Sequence, residues 1–420
     1  MTTRFAAGFA EKKVTPPLGI DLTGFGFYLE RRAESVLDDL KVRALCLKDK
    51  TQKLILITCD LLGFTIPFSD KIRCQIASEL EMPVQNILLA CTHTHSGPAT
   101  QPLPGLGKPD PAYLRRLAQA IKGAAAEALD ALEEAKFGFH FEASEPIGYN
   151  RRLNNFAEVD PWLKVAIFKQ KKKKVYLLSY ACHPVTLGPT KEISADWPGA
   201  FTREIENGGH CGLVFQGFCG DIDPVTYMNR RLGATADDLG LYGRILSLRT
   251  FKSEKYVSFE ARPELRAAEK RIRLPLQVFP KNALERETQA ALEATTEFPG
   301  ARRIVKAWRR KVEKFHAAFS RSPWTEDVPV QALSIGRLKI LGLPGEVFSG
   351  LSLKLRKKWP SLMTIGYANG NVGYLPTREA FRTPNDYACY GAPKFYAVFP
   401  FSPKTESALL RAGNELLSYL

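Results

Sequence analysis

The sequence is poor in histidine and has no paired-cysteine motif. Only six of its 420 residues are histidine, and two of these lie one residue apart in the stretch CTHTHSGPAT at 91–100. The eight cysteines are scattered, with no C-x-x-C pair. This distribution favours a reducing compartment over a disulfide framework. The histidine pair therefore stands out as a candidate functional feature.

Long apolar runs are also absent. Charged residues interrupt the first twenty residues at Arg4, Glu11, Lys12 and Lys13, which leaves no apolar core for a signal peptide. Elsewhere, no uncharged apolar run approaches the roughly 18–20 residues that a membrane-spanning helix needs. We therefore expect a cytoplasmic protein without stable membrane insertion.

Acidic residues are fewer than basic ones. Lys and Arg total 59 against 44 Asp and Glu, which gives a formal net charge of +15. A positive surface attracts anionic partners, and the densest basic segments lie at 169–174 and 301–319. Neither segment accompanies a nucleic-acid-binding motif. The sequence thus predicts a small-molecule substrate and no nucleic-acid partner, and it leaves the oligomeric state open.

One arrangement of predicted elements occurs three times. Each begins with two short β-type runs joined by a polar turn, at 42–60, 165–183 and 330–346. A predicted helix follows each pair, at 69–80, 198–207 and 347–359. An apolar strand then leads into a polar motif, at 86–98, 212–224 and 362–374. This order predicts an α/β fold with mixed β-sheets built from hairpin–helix–strand units and helices packed around them.

Further helical segments lie between and after these units. The sequence predicts helices at 111–136 and 404–420, and a mainly helical insertion at about 262–320 whose prolines break it into several pieces. No segment has the composition of a linker that would divide the chain. We therefore expect a single domain over residues 1–420.

The strand ends carry residues able to bind metal or move protons. The three hairpins lead to Asp60, His183 and Glu346, in that order. The three later strands lead to His93 with His95, to Asp221 with Asp223, and to Tyr374. Ligands of α/β sheets collect at the carboxyl ends of strands. The recurrence of such residues at corresponding points therefore predicts one shared site.

The chemistry of the histidine pair favours a metal ion. In an extended segment, side chains two positions apart point the same way, so His93 and His95 face one side together. One can bind a metal while the other acts beside it. Histidine, carboxylate and tyrosine donors favour zinc, although manganese or iron would accept the same donors. We expect one zinc ion per chain.

Seven motifs together resemble the neutral (alkaline, non-lysosomal) ceramidases, which are zinc-dependent amidases that cleave the acyl amide of ceramide. They are AAGFAEKKVTPPLGIDLTGFG (6–26), THTHSGP (92–98), NRR (150–152), CHPVT with SADWPG (182–186 and 194–199), GDIDP (220–224), LPGE (343–346) and NGNVGYLPTREAF (369–381). They occur in the family's order over nearly the whole chain. The resemblance implies a single catalytic domain.

The resemblance also implies roles for individual residues. The zinc ligands of the family fall on His93, His183, Glu346 and Tyr374. The second histidine of the HTHSGP motif, His95, would act beside the metal-activated water. In the remaining motifs, the resemblance implies that Arg151 stabilises the oxyanion, and we expect Asp221 and Asn150 to contact the substrate.

Two departures from the family change the expected substrate. Where ceramidases carry a catalytic serine in G-D-x-S-P, this sequence has Asp223, whose carboxylate can act as a general base but cannot replace a hydroxyl. We also expect no C-terminal immunoglobulin-like domain, because the chain ends at Leu420. A soluble substrate is therefore expected in place of ceramide.

The leading hypothesis is a zinc-dependent hydrolase that cleaves an amide or ester bond by a metal-activated water, with His95 and Asp223 sharing the proton transfers. Two alternatives stay open. The carboxylates Asp221, Asp223 and Glu346 would also suit a metal-dependent glycoside-cleaving enzyme. Loss of the serine would equally suit an inactive ceramidase-like binding protein.

Overall fold

A computed structural model describes residues 5–26, 31–229, 234–293, 299–325 and 327–420. Its strands are β1 Ala6–Lys13, β2 Ser35–Val36, β3 Lys41–Lys48, β4 Lys53–Cys59, β5 Ile87–Cys91, β6 Glu133–Glu134, β7 Lys136–Ala143, β8 Gly148–Asn150, β9 Trp162–Lys169, β10 Lys174–Tyr180, β11 Glu192–Ile193, β12 Cys211–Gln216, β13 Ile222–Pro224, β14 Leu265–Ile272, β15 Val328–Ile335, β16 Leu338–Gly342, β17 Glu346–Val347, β18 Leu362–Ile365 and β19 Tyr374–Leu375. Its α-helices are α1 Ile66–Glu79, α2 Pro111–Asp130, α3 Asp196–Asn207, α4 Thr226–Asn229, α5 Ala236–Ser253, α6 Lys281–Glu293, α7 Pro299–Lys314, α8 His316–Arg321, α9 Ser349–Lys358, α10 Ala392–Phe395 and α11 Thr405–Tyr419.

Three of the sheets share one topology. Their strand orders are β5-β4-β3-β1-β6, β12-β10-β9-β7 and β18-β16-β15-β14. In each sheet an antiparallel hairpin is followed by a strand parallel to its second member. Parallel neighbours need a crossover connection, and α1, α3 and α9 lie in these connections. The predicted α/β fold with mixed sheets is confirmed.

A fourth strand of each sheet was not predicted. β1, β7 and β14 pair antiparallel with the first strand of the hairpin. The helix predicted for 111–136 ends at Asp130, and β7 starts at Lys136. Likewise the predicted helical region at 262–320 begins with β14, and its helices start at Lys281.

The sequence of β14, LRAAEKRI, consists mostly of good helix formers. Its eight residues nevertheless pair in register with all eight residues of β15. Tertiary pairing with a fully buried strand outweighs a helix propensity of a few tenths of a kilocalorie per residue. This explains why the propensity of the segment was misleading.

The inner faces of the three sheets form one apolar core. On β4, for example, Leu54 and Leu56 point into this core, whereas Ile55 and Ile57 point to the opposite face. β10 and β16 alternate in the same way, and the core includes residues of all three sheets. The alternation follows from the two-residue period of a strand, and burial on both faces explains the near-continuous apolar runs.

Helices cover the outer face of each sheet. α1 and α2 pack on the first sheet, α3 and α5 on the second, and α9 and α11 on the third. Caps fix some of their starts: Asp110 accepts hydrogen bonds from two backbone amides at the beginning of α2, where Pro111 occupies the first turn. The shared core brings the carboxyl ends of the parallel strands of all three sheets to one region of the molecule.

Two general expectations can also be compared with the structure. All eight cysteines are free, and Cys74 alone among them is exposed. In the part of the chain that the structure describes, no helix combines the length and apolar character needed to cross a bilayer. The expected cytoplasmic location stays a prediction.

Candidate metal centre

Three histidine rings meet at the strand ends. His93 and His95 follow β5, and His183 follows β10. One ring nitrogen from each of the three lies within 4.8 Å of the other two, and the Nε2 atoms of His93 and His95 are 3.1 Å apart. His93 and His183 are buried and His95 is partly buried. The three residues form a group that could hold a metal ion.

Backbone carbonyls fix the orientation of two of these rings. Nδ1 of His93 lies 2.6 Å from the carbonyl oxygen of Leu62, and Nδ1 of His183 lies 2.7 Å from that of Cys219. A carbonyl oxygen only accepts, so each Nδ1 carries a hydrogen and Nε2 is the ring atom available to a metal ion. Histidines that bind metal ions in proteins are typically held in this way.

Glu346, on β17, brings a carboxylate to the same point. Its Oε2 lies 3.2 Å from Nε2 of His183 and 3.4 Å from Nε2 of His93. Ligand atoms bound to a tetrahedral zinc ion at about 2.0–2.1 Å are about 3.3 Å apart. The distances from Oε2 of Glu346 to the two imidazole nitrogens therefore fit zinc.

The protonation of the group also suits a cation. Burial lowers the pKa of His93, and burial together with the neighbouring His93 and His183 lowers that of His95 well below its usual value. Burial alone would raise the pKa of Glu346, but the close contacts with His183 and His93 hold it well below its usual range. Two neutral imidazoles and a carboxylate are thus in the forms that metal ions bind.

His183 differs from the other two histidines. Burial lowers its pKa, but the contacts with Cys219 and Glu346 outweigh burial and raise the pKa to about 10. A metal ion that binds to Nε2 has to displace a proton there. Metal affinity should therefore increase with pH, as it does wherever ligands must be deprotonated.

The backbone is strained beside these ligands. His93 has a φ of 70° and Tyr367 a φ of 53°, a left-handed conformation that costs non-glycine residues about 1–3 kcal/mol. The ring of Tyr367 stacks on that of His93, with centroids 3.9 Å apart and 13° between planes. The packing therefore holds the His93 ring in a fixed orientation.

A hydrogen-bonded chain holds the second oxygen of Glu346. The hydroxyl of Tyr396 donates to Oε1 of Glu346 at 2.6 Å, and Nδ2 of Asn371 donates to the Tyr396 hydroxyl at 3.1 Å. Nδ2 of Asn371 also donates to the side chain of Gln101. These contacts leave Oε2 facing the histidines. Sequence reasoning missed Tyr396 and Gln101, since neither lies in one of the seven motifs.

Arg151 connects two of the other predicted site residues. Its Nη2 donates to the hydroxyl of Tyr374 at 2.7 Å and to the carbonyl of Gly220 at 2.8 Å. Its Nη1 lies 3.1 Å from Oδ1 of Asp223. The structure thus brings Arg151, Tyr374 and Asp223 together. The role of Tyr374 as a fourth metal ligand stays a prediction.

Asp221 and Asn150 are engaged in structural contacts. Oδ1 of Asp221 accepts from the backbone amide of Ser349 at 2.8 Å, at the start of α9, and Oδ2 accepts from Nδ2 of Asn150 at 3.1 Å. Both side chains are buried. Burial raises the pKa of Asp221 to about 6. The expected contact of these two residues with substrate stays a prediction.

A loop that contains the TGFG motif covers His95. Gly24 has a φ of 113°, and a Cβ atom there would lie 2.5 Å from Cγ of His95, so only glycine fits. The Phe25 ring lies edge-on to His95, with centroids 5.1 Å apart. Nη2 of Arg31 donates to the His95 carbonyl at 2.6 Å. Sequence reasoning assigned no role to Phe25 or Arg31, although the motif contains Gly24 and Phe25.

Asp60, the remaining strand-end residue, is not part of the histidine group. Its Oδ2 accepts from Nη1 of Arg43 at 2.8 Å and from the backbone amide of Lys41 at 2.9 Å. The carboxylate is fully buried. Asp60 therefore belongs to a structural ion pair.

No protein-family model and no curated protein matches the sequence. Solved structures do match. Neutral ceramidase from Pseudomonas aeruginosa shares 17% sequence identity, with a TM-score of 0.74 over 99% of this chain and 74% of that one. A structure of ceramidase complexed with C2 shares 15% identity, with a TM-score of 0.75 over 99% of this chain and 75% of that one. The chain therefore has a neutral ceramidase-like fold.

Proposed function

We propose that this chain, with its neutral ceramidase-like fold, is a zinc-dependent hydrolase that cleaves an amide or ester bond of a small molecule. The observation that carries the proposal is the convergence of His93, His183 and Glu346, because both imidazoles present Nε2 to one carboxylate oxygen. Three buried donors with these spacings suit a metal and have no evident purely structural purpose.

His93, His183 and Glu346 would hold the zinc ion, with Tyr374 as the proposed fourth ligand. When bound, the ion would supply a Lewis acid that polarises the scissile carbonyl and lowers the pKa of water. The carbonyls of Leu62 and Cys219 orient the two imidazoles. Tyr396 orients the carboxylate.

His95 is the proposed proton acceptor. Its Nε2 lies 3.1 Å from Nε2 of His93, beside the ligands, and its lowered pKa keeps the ring neutral at pH 7. A neutral imidazole can take a proton from water and return it to the leaving group. The TGFG loop covers the opposite side of the ring and limits the access of bulk water.

Arg151 is the proposed electrophile toward the developing oxyanion. Its guanidinium lies beside Tyr374 and is held by Asp223 and the Gly220 carbonyl. A guanidinium fixed in this way needs no reorganisation when charge develops. The expected role of Asp223 in proton transfer would require its carboxylate to act while it is paired with Arg151, so we propose that it mainly positions the arginine.

Asp223→Asn tests this assignment. Asparagine keeps an oxygen that accepts from Arg151 but cannot carry a proton. A positioning role predicts a loss in kcat/KM smaller than the about 10²–10⁴-fold contribution of a general base, and a pH profile of unchanged shape. A larger loss with a missing limb in the pH profile would restore the proton-transfer role.

The proposed substrate is a soluble amide or ester rather than ceramide. The support for this step is the carboxylate of Asp223, ion-paired to Arg151, at the point where the resemblance implies a serine hydroxyl. A charged pair at the reaction centre favours polar groups near the scissile bond and disfavours a purely apolar neighbour.

The contacts of the carboxylates favour the alternatives less. A glycosidase needs two carboxyl groups that face the substrate, but Asp221 is bound by Ser349 and Asn150, and Asp223 by Arg151. An inactive binding protein would have no need for two anchored imidazoles beside a carboxylate.

Metal removal tests the proposal. Purified protein would be assayed on a panel of chromogenic N-acyl and ester substrates, with chromogenic glycosides as a control, before and after chelation. We expect hydrolysis of an N-acyl or ester compound, its loss on chelation and its recovery with zinc, manganese or iron. Full turnover by protein that elemental analysis shows to be metal-free would contradict the proposal.

A further inference from the structure

A cavity lies next to the proposed centre. Its volume is about 420 Å³, within the range of small-molecule sites. It is bounded by helices α6 and α7 and by the segment 384–395. The two helices contribute small or branched apolar side chains: Ala290, Ala291, Ala301, Ile304 and Val305. The helical wall of the cavity thus suits an apolar group of limited width.

Tyr387 joins the cavity to the proposed centre. Its ring lines the cavity and lies 5.7 Å, centroid to centroid, from the ring of Tyr374. The hydroxyl of Tyr374 in turn binds Arg151. The cavity wall therefore contacts the surroundings of Tyr374 through the ring of Tyr387.

The opposite wall carries a cation. Nζ of Lys394 donates to the carbonyl of Tyr390 at 2.6 Å and lies 5.2 Å from the centroid of the Trp308 ring. Among the described residues, no carboxylate oxygen lies within 4.0 Å of Nζ of Lys394. Burial lowers the pKa of Lys394, and Glu287, which also lines the cavity, opposes that shift. The ammonium therefore lacks a direct counter-ion.

Helix α7, which forms part of the helical wall, is strongly basic. α7, PGARRIVKAWRRKVEK, holds one acidic residue, Glu313, and seven basic ones, which are Arg302, Arg303, Lys306, Arg309, Arg310, Lys311 and Lys314. Arg309 pairs with Glu285 and Glu313, whereas Lys306 and Arg310 are exposed. Charges of one sign around a cleft raise the local concentration of ligands of the opposite sign.

We propose that this cavity binds an apolar group of the substrate that carries a negative charge, such as an acyl chain that ends in a carboxylate. The apolar side chains of α6 and α7 pack against the acyl chain, and Lys394 pairs with its carboxylate. The basic face of α7 attracts the anionic substrate from solution. The proposal rests on the proposed function, whose substrate class it narrows.

Three probes with the same alkyl chain test this assignment: octanoate, octanol and octylamine. Calorimetry on the full chain should show that octanoate binds most tightly, by about tenfold or more, because a hydrogen bond to a charged group contributes about 1.5–3 kcal/mol. Lys394→Met keeps the apolar stem and should bring octanoate to the affinity of octanol. Lys394→Arg should retain the preference for octanoate.

Two further variants locate the binding. Ala301→Trp fills the cavity and should weaken all three probes together. Glu287→Gln removes the one acid of the wall and should strengthen octanoate alone. Circular dichroism of each variant shows whether the fold is retained. Equal affinities for the three probes, or an unchanged octanoate affinity in Lys394→Met, would overturn the assignment.

His183→Ala separates this proposal from the proposed function. Octanoate should bind it as it binds the unaltered chain, because the cavity does not include the proposed ligands. If octanoate is lost in His183→Ala but kept in Lys394→Met, the carboxylate binds at the metal centre and the cavity assignment is wrong. Absence of hydrolysis with the octanoate preference intact would reject the hydrolase while supporting the anion-binding cavity.

Discussion

Asp60 follows the second strand of the first hairpin, as Glu346 follows the second strand of the third. Both carboxylates are buried. Asp60 is bound by the guanidinium of Arg43 on the neighbouring strand β3, whereas Glu346 is bound by two imidazoles and a tyrosine hydroxyl. Equivalent positions in a repeated topology therefore hold a structural ion pair in one unit and a candidate metal ligand in another.

The neighbouring strand explains the difference. β3, KVRALCLK, places Arg43 on the face that Asp60 occupies, and a buried carboxylate pairs with the nearest cation. The corresponding strand of the third unit, β15, has the sequence VPVQALSI and holds no charged residue. Glu346 therefore has no cation on that strand to pair with, and it contacts histidines from the other two units. A strand-end carboxylate thus becomes available for chemistry where the corresponding strand of its unit lacks a cation.

Glu346→Gln should produce the largest functional effect. The amide keeps the shape of the side chain but loses the charge that balances a cation. We expect loss of bound metal and a loss in turnover greater than the about 10–100-fold that removal of an outer hydrogen-bond partner costs. Elemental analysis and kinetics measure both. Normal metal content in this variant would remove Glu346 from the centre.

Asp60→Asn should affect stability instead. The variant leaves the buried Arg43 with only the more distant carboxylates of Glu11 and Glu206, at 3.5 and 3.7 Å. Breaking a buried ion pair costs up to about 3–5 kcal/mol. Denaturant unfolding should show this loss, while the metal content per folded chain stays unchanged. A variant of normal stability that has lost its metal would reverse the contrast drawn between Asp60 and Glu346.

Asp221→Asn tests a second contrast, between the buried structural Asp221 and the Arg151-bound Asp223 of the GDIDP motif. Burial raises the pKa of Asp221 in the folded chain to about 6, from the ordinary value of 3.8. Its contribution to stability is therefore fully present below pH 4 and is lost as the pH rises through 6, by about 2–3 kcal/mol. The variant should flatten this part of the stability profile, as measured by denaturant unfolding between pH 4 and 7. A profile that keeps the same slope would contradict the assignment.

Tyr396→Phe should give the smallest effect of the series. Phenylalanine preserves the packing but removes the hydroxyl that fixes Oε1 of Glu346. Metal affinity should fall by about 10-fold, at the lower end of the range for outer partners. A competition titration with a chromogenic chelator measures this change. Tyr390→Phe offers a matched control, since that hydroxyl donates to the carbonyl of Phe381 instead.

Much of the fold could be predicted from the sequence because the hairpin–helix–strand order occurs three times. Strands β1, β7 and β14 were missed. β1 and β14 have polar or helix-favouring sequences, and β7 begins at the last residue of the helix predicted for 111–136, although its phenylalanines alternate as in a strand. Their partners lie up to 70 residues away in the chain, as for Leu265 and Ile335, a separation that a local pattern does not reveal.

Part of the site was also predictable. The spacing of His93 and His95 and the recurrence at strand ends pointed to residues that do meet, together with His183 and Glu346. The carbonyl anchors and Tyr396 could not be predicted, because a backbone carbonyl has no sequence signature and Tyr396 lies 50 residues from Glu346. The burial of Asp221 was hidden for the same reason, since the amide of Ser349 that binds it lies in another unit.

The most direct test of the account is the metal content of purified chain, His183→Ala and Asp60→Asn, measured by elemental analysis at neutral pH. His183 lies about ninety residues from His93. Loss of the metal in His183→Ala would therefore require that residues of different units build one centre. The account predicts about one zinc ion per chain in the unaltered protein and in folded Asp60→Asn, and none in His183→Ala. Equal metal content in all three, or none in the unaltered chain after addition of zinc, would contradict it.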